Sequence, residues 1–163
     1  MKTLLILRHA KSSWKYQDLP DHERPLNRRG VTDAPRMGRV LHGAGLTPDR
    51  IVSSTAVRAQ STARLAGEAC GYEGGVTLRE DLYLSGWRAY LEALRQLPTD
   101  VDRAMIVGHN PTVEEVVHLL TGRDEPMPTA ALAHVELRVD DWSELDEHAP
   151  AKLRNLWRPR DLT

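Results

Sequence analysis

The sequence predicts an α/β fold in which a mostly parallel sheet lies between two layers of helices. Short apolar runs alternate with stretches of helical periodicity along the chain, which is the pattern of repeated strand–helix units. Two of the runs, Leu4–Leu7 and Ala104–Val107, have four consecutive apolar residues, as in strands that are buried on both faces. With 163 residues, the chain is long enough for one core and too short for two. We therefore predict a single domain over residues 1–163.

The first strand is followed by a long loop and a helix. Residues 11–26 have mixed charges and no period, and a loop of this length often serves as a lid or a binding loop. A helix is expected over residues 27–42, with Asn27 as its N-cap. Pro35 either kinks this helix or marks the end of a first turn, in which case Asp33 caps a second segment.

A second strand and a helix of small residues are expected next. Residues 50–53 form the strand, and Ser54 or Thr55 is the predicted N-cap of a helix that ends near Cys70. Small side chains recur at helical spacing on one side of this helix, which suits close packing: Ala59, Ala63, Ala66 and Cys70. Because Cys70 is the chain's one cysteine, an intrachain disulfide and a cysteine zinc cluster are excluded, and we interpret it as a buried structural thiol.

Further strand–helix units are expected in the second half of the chain. Residues 76–78 form a weak strand, which is followed by a helix over residues 86–97 with Ser85 as its cap. After the second fully apolar strand, Asn110 as N-cap and Pro111 at the first helical position start another helix.

The C-terminal part is less regular. Residues 133–139 alternate between apolar and polar, so we predict a strand that is buried on one face and lies at or near an edge of the sheet. No element is assigned to the acidic tail after it. Four of its apolar residues are expected to pack back onto the body: Trp142, Leu153, Leu156 and Trp157.

Composition narrows the classes of function. The formal net charge is -1, so no global field favours nucleic acid or an anionic membrane as a partner. No apolar run approaches the roughly 20 residues that span a bilayer, and Met1–Thr3 leads into the first strand without a signal-peptide pattern. We expect a cytoplasmic monomer.

Basic side chains follow the ends of the predicted strands. Arg8 and His9 follow the first strand, and His109 follows the strand over residues 104–107. Arg58 lies in the opening turn of a helix, where the helix dipole acts on the same anion as its side chain. Arg8-His9 alone fits a solvated strand end equally well. Because ligands of open α/β sheets bind outside the carboxyl ends of the strands, the four residues together predict one phosphate pocket.

Three motifs occur in order along the chain: Arg8-His9-Ala10, Ser53–Ala63 and Val107–Pro111. Together with Arg24–Gly30 and Arg158–Leu162, they resemble the histidine phosphatase superfamily, and most of all its small SixA-type phosphohistidine phosphatases. The resemblance covers nearly the whole chain and implies a phosphoglycerate mutase-like fold.

The resemblance implies His9 as a nucleophile that forms a phosphohistidine intermediate, which water then hydrolyses. Arg8, Arg58 and His109 match the phosphate-pocket residues of the family. This chemistry requires a neutral imidazole with one nitrogen aimed at phosphorus and the other held by an acceptor such as a backbone carbonyl. Asn110 either orients His109 or only caps its helix.

The surroundings of the pocket are less defined. Lys11, Ser12 and Arg24 either contact substrate from the long loop or are exposed to solvent, and the walls available to the pocket are residues 11–26 and 79–87. The other five histidines lack metal-ligand spacing, so we expect no metal and no cofactor: His22, His42, His118, His134 and His148.

The resemblance leaves open whether the reaction uses a general acid. Relatives that cleave phosphate esters protonate the alkoxide with a carboxylic acid, and Glu80 or Asp81 lies roughly where mutase-like members keep theirs. The SixA-type branch is thought to need none, because imidazole, with a pKa of about 6.5, leaves readily once it is protonated.

We therefore expect a phosphatase whose substrate is a phosphohistidine on a protein or a small phosphorylated molecule. One alternative is a phosphomonoesterase or mutase-like enzyme with Glu80 as general acid. Another alternative is a non-catalytic module that binds phosphate or a phosphoprotein.

Overall fold

The computed structural model describes residues 1–162, which contain a six-stranded sheet. Its strands are β1 (Lys2–Arg8), β2 (Arg50–Ser54), β3 (Val76–Arg79), β4 (Arg103–Gly108), β5 (Leu132–Leu137) and β6 (Ala151–Trp157). They lie in the order β3-β2-β4-β1-β5-β6. The first four strands of the chain are parallel, whereas β5 and β6 pair in the antiparallel sense. The predicted α/β fold with a mostly parallel sheet is confirmed.

Helices cover both faces of this sheet. Within the described residues they are α1 (Arg28–Gly43), α2 (Val57–Cys70), α3 (Asp81–Leu84), α4 (Trp87–Arg95) and α5 (Thr112–Thr121). Successive side chains of a strand point to opposite faces. Accordingly, Leu5 and Leu7 of β1 pack on the side of α1 and α2, and Leu4 and Ile6 pack on the side of α4 and α5. β1 is thereby buried on both faces, as its apolar run predicts.

The structure decides between the alternatives that the sequence leaves for the first helix. Asn27 caps α1, since its side-chain oxygen accepts a hydrogen bond from the backbone N–H of Gly30 at 2.9 Å. Pro35 lies inside one continuous helix, so Asp33 caps no second segment. Helix α1 packs closely on the small-residue face of α2. At the contact, Gly38 of α1 has no room for a side chain, because an added Cβ would lie 2.3 Å from the carbonyl oxygen of Ala66 in α2.

The predicted caps of α2 and α4 are wrong. Neither Ser54 nor Thr55 caps α2, whose N-cap is Ala56. Ser54 instead belongs to β2, and its hydroxyl oxygen accepts a hydrogen bond from the backbone N–H of Ala56, the N-cap residue itself, at 3.2 Å. Ser85 does not cap α4 either, because the unpredicted turn α3 comes directly before it and Gly86, with φ of 83°, becomes the N-cap.

The tail packs onto the body, as predicted, and it also contains a strand that the sequence pattern does not reveal. Trp142 is completely buried and donates its indole N–H to the carbonyl oxygen of Val101 at 2.7 Å. Strand β6 then pairs with β5 at the edge of the sheet, with a register shift between His134 and Val135. Among the helices of residues 1–162, none combines the length and apolar character needed to cross a membrane.

Candidate active site

The candidate site lies at the carboxyl ends of the central strands. In the parallel register of β1 and β4, Arg8 is paired with Gly108, so His9 and His109 leave the sheet side by side. Their ring centroids are 5.1 Å apart. Arg58, in the first turn of α2, lines the same cavity, which has a volume of about 320 Å³. The structure thus brings together the four residues that the strand ends indicate.

His9 is buried, with 7% of its surface exposed. Its Nδ1 atom lies 2.7 Å from the carbonyl oxygen of Ala10, which holds the ring in place. Burial, followed by charge repulsion from His109, Arg58 and Arg8, lowers the pKa of His9 to about 3, although the hydrogen bond to Ala10 acts in the opposite direction. The imidazole is therefore neutral at physiological pH.

His109 is held from both its backbone and its ring. Its backbone N–H donates to the hydroxyl of Tyr90 at 3.0 Å, and Nε2 lies 2.8 Å from the hydroxyl oxygen of Ser54. Gly108 leaves room for this arrangement, because a Cβ there would lie 2.0 Å from the Tyr90 hydroxyl. Burial, followed by the charge of Arg58, lowers the pKa of His109 to about 4, so this ring is neutral as well.

Arg8 and Asn110 are tied to the same carbonyl group. Arg8 donates through Nη1 to the carbonyl oxygen of Met127 at 3.0 Å, and Asn110 donates to that oxygen at 2.9 Å. The side chain of Asn110 also donates to Glu114. The prediction that Asn110 caps α5 is wrong: Pro111 is the N-cap, and the amide of Asn110 holds the segment before β5 instead.

Arg58 is fixed by a residue that the sequence does not indicate. Asp21 lies in a single turn of 3-10 helix (Asp21–Glu23) within the long loop. Arg58 donates to its carbonyl oxygen at 2.7 Å and to its carboxylate Oδ2 at 2.9 Å, and the hydroxyl of Tyr83 donates to the same Oδ2. These bonds, with one from Arg24, hold the pKa of Asp21 well below its ordinary value, the bond from Tyr83 having the largest effect.

The long loop forms one wall of the cavity. Lys11 and Ser12 both line it. Arg24 is buried rather than solvated, because it donates to the hydroxyl of Ser12 at 2.6 Å and lies over the ring of Trp14, 3.3 Å from its centroid. Glu80 is exposed and does not line the cavity, so the structure does not bring this carboxyl group to the site.

Comparison with known proteins identifies the family of the chain. The family model of the histidine phosphatase superfamily (branch 1) matches residues 4–83. An uncharacterized chloroplastic protein of Arabidopsis thaliana is 30% identical over 152 residues, which are 88% of this chain and 70% of that protein. The chain belongs to the histidine phosphatase superfamily.

Solved structures of the histidine phosphatase superfamily share the fold over nearly the whole chain. A proposed phosphohistidine phosphatase SixA from Agrobacterium tumefaciens is 27% identical and superposes with a TM-score of 0.82, covering 97% of this chain and 98% of that one. The protein histidine phosphatase SixA complexed with tungstate is 23% identical, with a TM-score of 0.83 and 99% of both chains covered. The phosphoglycerate mutase-like fold is thereby confirmed.

Proposed function

We propose that this member of the superfamily is a phosphatase that transfers a phosphoryl group first to His9 and then to water. The observation that supports this proposal most strongly is the protonation and orientation of the His9 ring. A carbonyl oxygen can only accept a hydrogen bond, so the contact with Ala10 places the hydrogen on Nδ1 and leaves the lone pair on Nε2. A neutral, oriented imidazole beside a cationic cavity is what a nucleophile for phosphorus requires.

The cavity supplies charge where a transferring phosphoryl group needs it. Arg8 and Arg58 carry forked N–H donors for the non-bridging oxygens. Nδ1 of His109 is buried without a partner among the described residues, so it is free to donate to phosphate when the Ser54 hydroxyl donates to Nε2. Phosphoryl transfer gains most from such positioning and electrostatic stabilisation.

The chemistry takes two displacements. In the first, the lone pair of His9 Nε2 forms an N–P bond as the bond from phosphorus to the leaving group breaks. In the second, a water oxygen attacks phosphorus, the N–P electron pair returns to Nε2, and phosphate and a proton leave.

A leaving group that departs without a protein acid fits this cavity best. Glu80 lies outside the cavity, and Asp21 is ionised at neutral pH because its hydrogen bonds lower its pKa. An alkoxide would leave unprotonated, whereas a protonated phosphoimidazole releases neutral imidazole. These observations support phosphohistidine as the substrate and count against the ester-cleaving alternative.

The proposed carrier of the phosphohistidine is a protein. The loop over residues 11–26 and the turn at Tyr83 and Leu84 line the cavity without covering it, which leaves room for a side chain presented by a folded partner. The name of the Agrobacterium relative, a proposed phosphohistidine phosphatase, supports phosphohistidine as the phosphorylated group but does not name its carrier.

The test is a comparison of turnover on phosphohistidine, phosphoserine and a sugar phosphate. We expect the wild type to hydrolyse phosphohistidine at least about 100-fold faster than either ester, and His9→Ala to hydrolyse none of them. Equal rates on the esters would contradict the proposed substrate class, and binding of phosphohistidine without turnover would favour a binding module.

A further inference from the structure

Asp21 lies at the mouth of the cavity, whereas the proposed nucleophile lies at its floor. The side chain of Asp21 is 52% exposed, while His9 and Arg58 are 7% and 8% exposed. In an in-line displacement the leaving group departs on the side of phosphorus opposite the nucleophile. A nucleophile on the floor therefore directs the leaving group toward the mouth, where Asp21 lines the cavity.

The carboxylate of Asp21 keeps one position free for a further donor. A carboxylate offers about four lone-pair sites. Two on Oδ2 accept from Arg58 and Tyr83, and one on Oδ1 accepts from Arg24 at 2.9 Å. Since the three donors also fix the group in place, the remaining site on Oδ1 is available to a ligand without reorganisation of the loop.

We propose that Asp21 is a specificity-determining residue, which selects a nitrogen-linked phosphoryl group by accepting a hydrogen bond from the free N–H of the substrate's imidazole ring. This inference rests on the proposed function and adds the group that faces the leaving side of phosphorus. An ester leaving group has no N–H to donate, and its developing negative charge is repelled by the carboxylate.

The assigned role fits the electron and proton balance of the first displacement. The substrate enters with its imidazole protonated on the nitrogen that is not bonded to phosphorus. As the Nε2 lone pair of His9 bonds to phosphorus, the P–N electron pair of the substrate returns to its own ring. The proton remains on the other nitrogen, hydrogen-bonded to Asp21, so neutral imidazole departs and no proton has to cross the site.

The test uses two small substrates that share the phosphoryl group and differ in the leaving group: phosphoimidazole and p-nitrophenyl phosphate. The quantity compared is the ratio of kcat/KM for phosphoimidazole to kcat/KM for p-nitrophenyl phosphate. In Asp21→Asn we expect this ratio to fall about tenfold, because one charge-assisted hydrogen bond to imidazole is lost. Asp21→Ala, which also removes the oxygen acceptor, should lower it at least as much.

Two controls separate selection from positioning. Asp18→Asn makes the same change in the same loop, at an exposed position outside the cavity, and should leave the ratio unchanged. Tyr83→Phe removes a bond that holds Asp21 but keeps its carboxylate, so both kcat/KM values should change together. Thermal unfolding checks that each variant is folded. The Asp21 variants are expected to fold, because this side chain is half-exposed in a loop.

The outcomes are distinct. A ratio that stays within about twofold in both Asp21 variants, whatever the loss in absolute rate, would mean that Asp21 only positions Arg58, and would overturn this inference while leaving the proposed function intact. Failure of the wild type to turn over either compound would overturn the proposed function and the inference with it.

Discussion

The Nδ1 atom of His9 lies 2.7 Å from the carbonyl oxygen of Ala10, the next residue in the chain. Ala10 is itself completely buried, and its backbone N–H donates to the hydroxyl of Thr62 at 2.9 Å. The tautomer of His9 is thus set by a fixed part of the backbone at the end of β1, and not by a mobile side chain. The ring of the proposed nucleophile is therefore oriented before any substrate binds.

The low pKa values of His9 and His109, about 3 and about 4, can be tested by NMR titration. Both rings should keep the chemical shifts of neutral imidazole down to about pH 5, one unit above the higher of the two values. Assignment can use His9→Asn and His109→Asn. Titration of either ring with a midpoint near the ordinary value of about 6.5 would contradict the neutral nucleophile.

The same pKa values predict how stability depends on pH. In the unfolded chain these two histidines bind protons below about pH 6.5, whereas in the folded chain they do not, so the unfolding free energy falls as the pH is lowered. Between about pH 7 and pH 5 each should contribute a loss of up to about 2 kcal/mol. Urea unfolding of the wild type and of His9→Asn measures the difference, and an identical pH dependence in the two would exclude a buried neutral His9.

Arg58 should not tolerate replacement by lysine. Its guanidinium donates to Asp21 through two nitrogens while it lines the cavity, and a lysine ammonium cannot reproduce this fork. We expect Arg58→Lys to lower kcat/KM for phosphohistidine at least about 100-fold. Arg64→Lys is the matched control, since Arg64 lies on the same helix with 59% of its side chain exposed. Similar activities of the two variants would place Arg58 outside the reaction.

Glu80→Gln should leave hydrolysis of both phosphohistidine and p-nitrophenyl phosphate within about twofold of the wild type, because Glu80 is exposed and does not line the cavity. Steady-state kinetics on the two substrates is sufficient. Selective loss of ester hydrolysis would restore Glu80 as a general acid and favour the mutase-like alternative.

The fold and the convergence of four site residues follow from local patterns in the sequence. Two fully apolar runs mark the central strands, and in a parallel sheet residues after such runs must meet at one edge. Arg8, His9 and His109 are therefore neighbours for a topological reason. The sequence could also place Arg58 there, because a helix that follows a parallel strand begins at the same edge.

The residues that sequence reasoning missed lie where no periodicity applies. Asp21 belongs to an aperiodic loop, and its approach to Arg58 depends on how that loop folds over the cavity. Tyr83 follows β3 and lies within residues 79–87, a predicted wall, but its contact with Asp21 is long-range. Strand β6 was not predicted, because its residues are exposed or only partly buried and therefore show no clear apolar pattern. A register shift in β5 also disrupts the regular pairing of the two strands.

The central claim is that His9 carries the phosphoryl group, and rapid quenching with a ³²P-labelled substrate tests it most directly. Wild-type protein that is quenched in base during turnover should carry an acid-labile, base-stable label at His9, and His9→Ala should carry none. Hydrolysis by the wild type without any trapped label, or a label at a residue other than His9, would contradict the account.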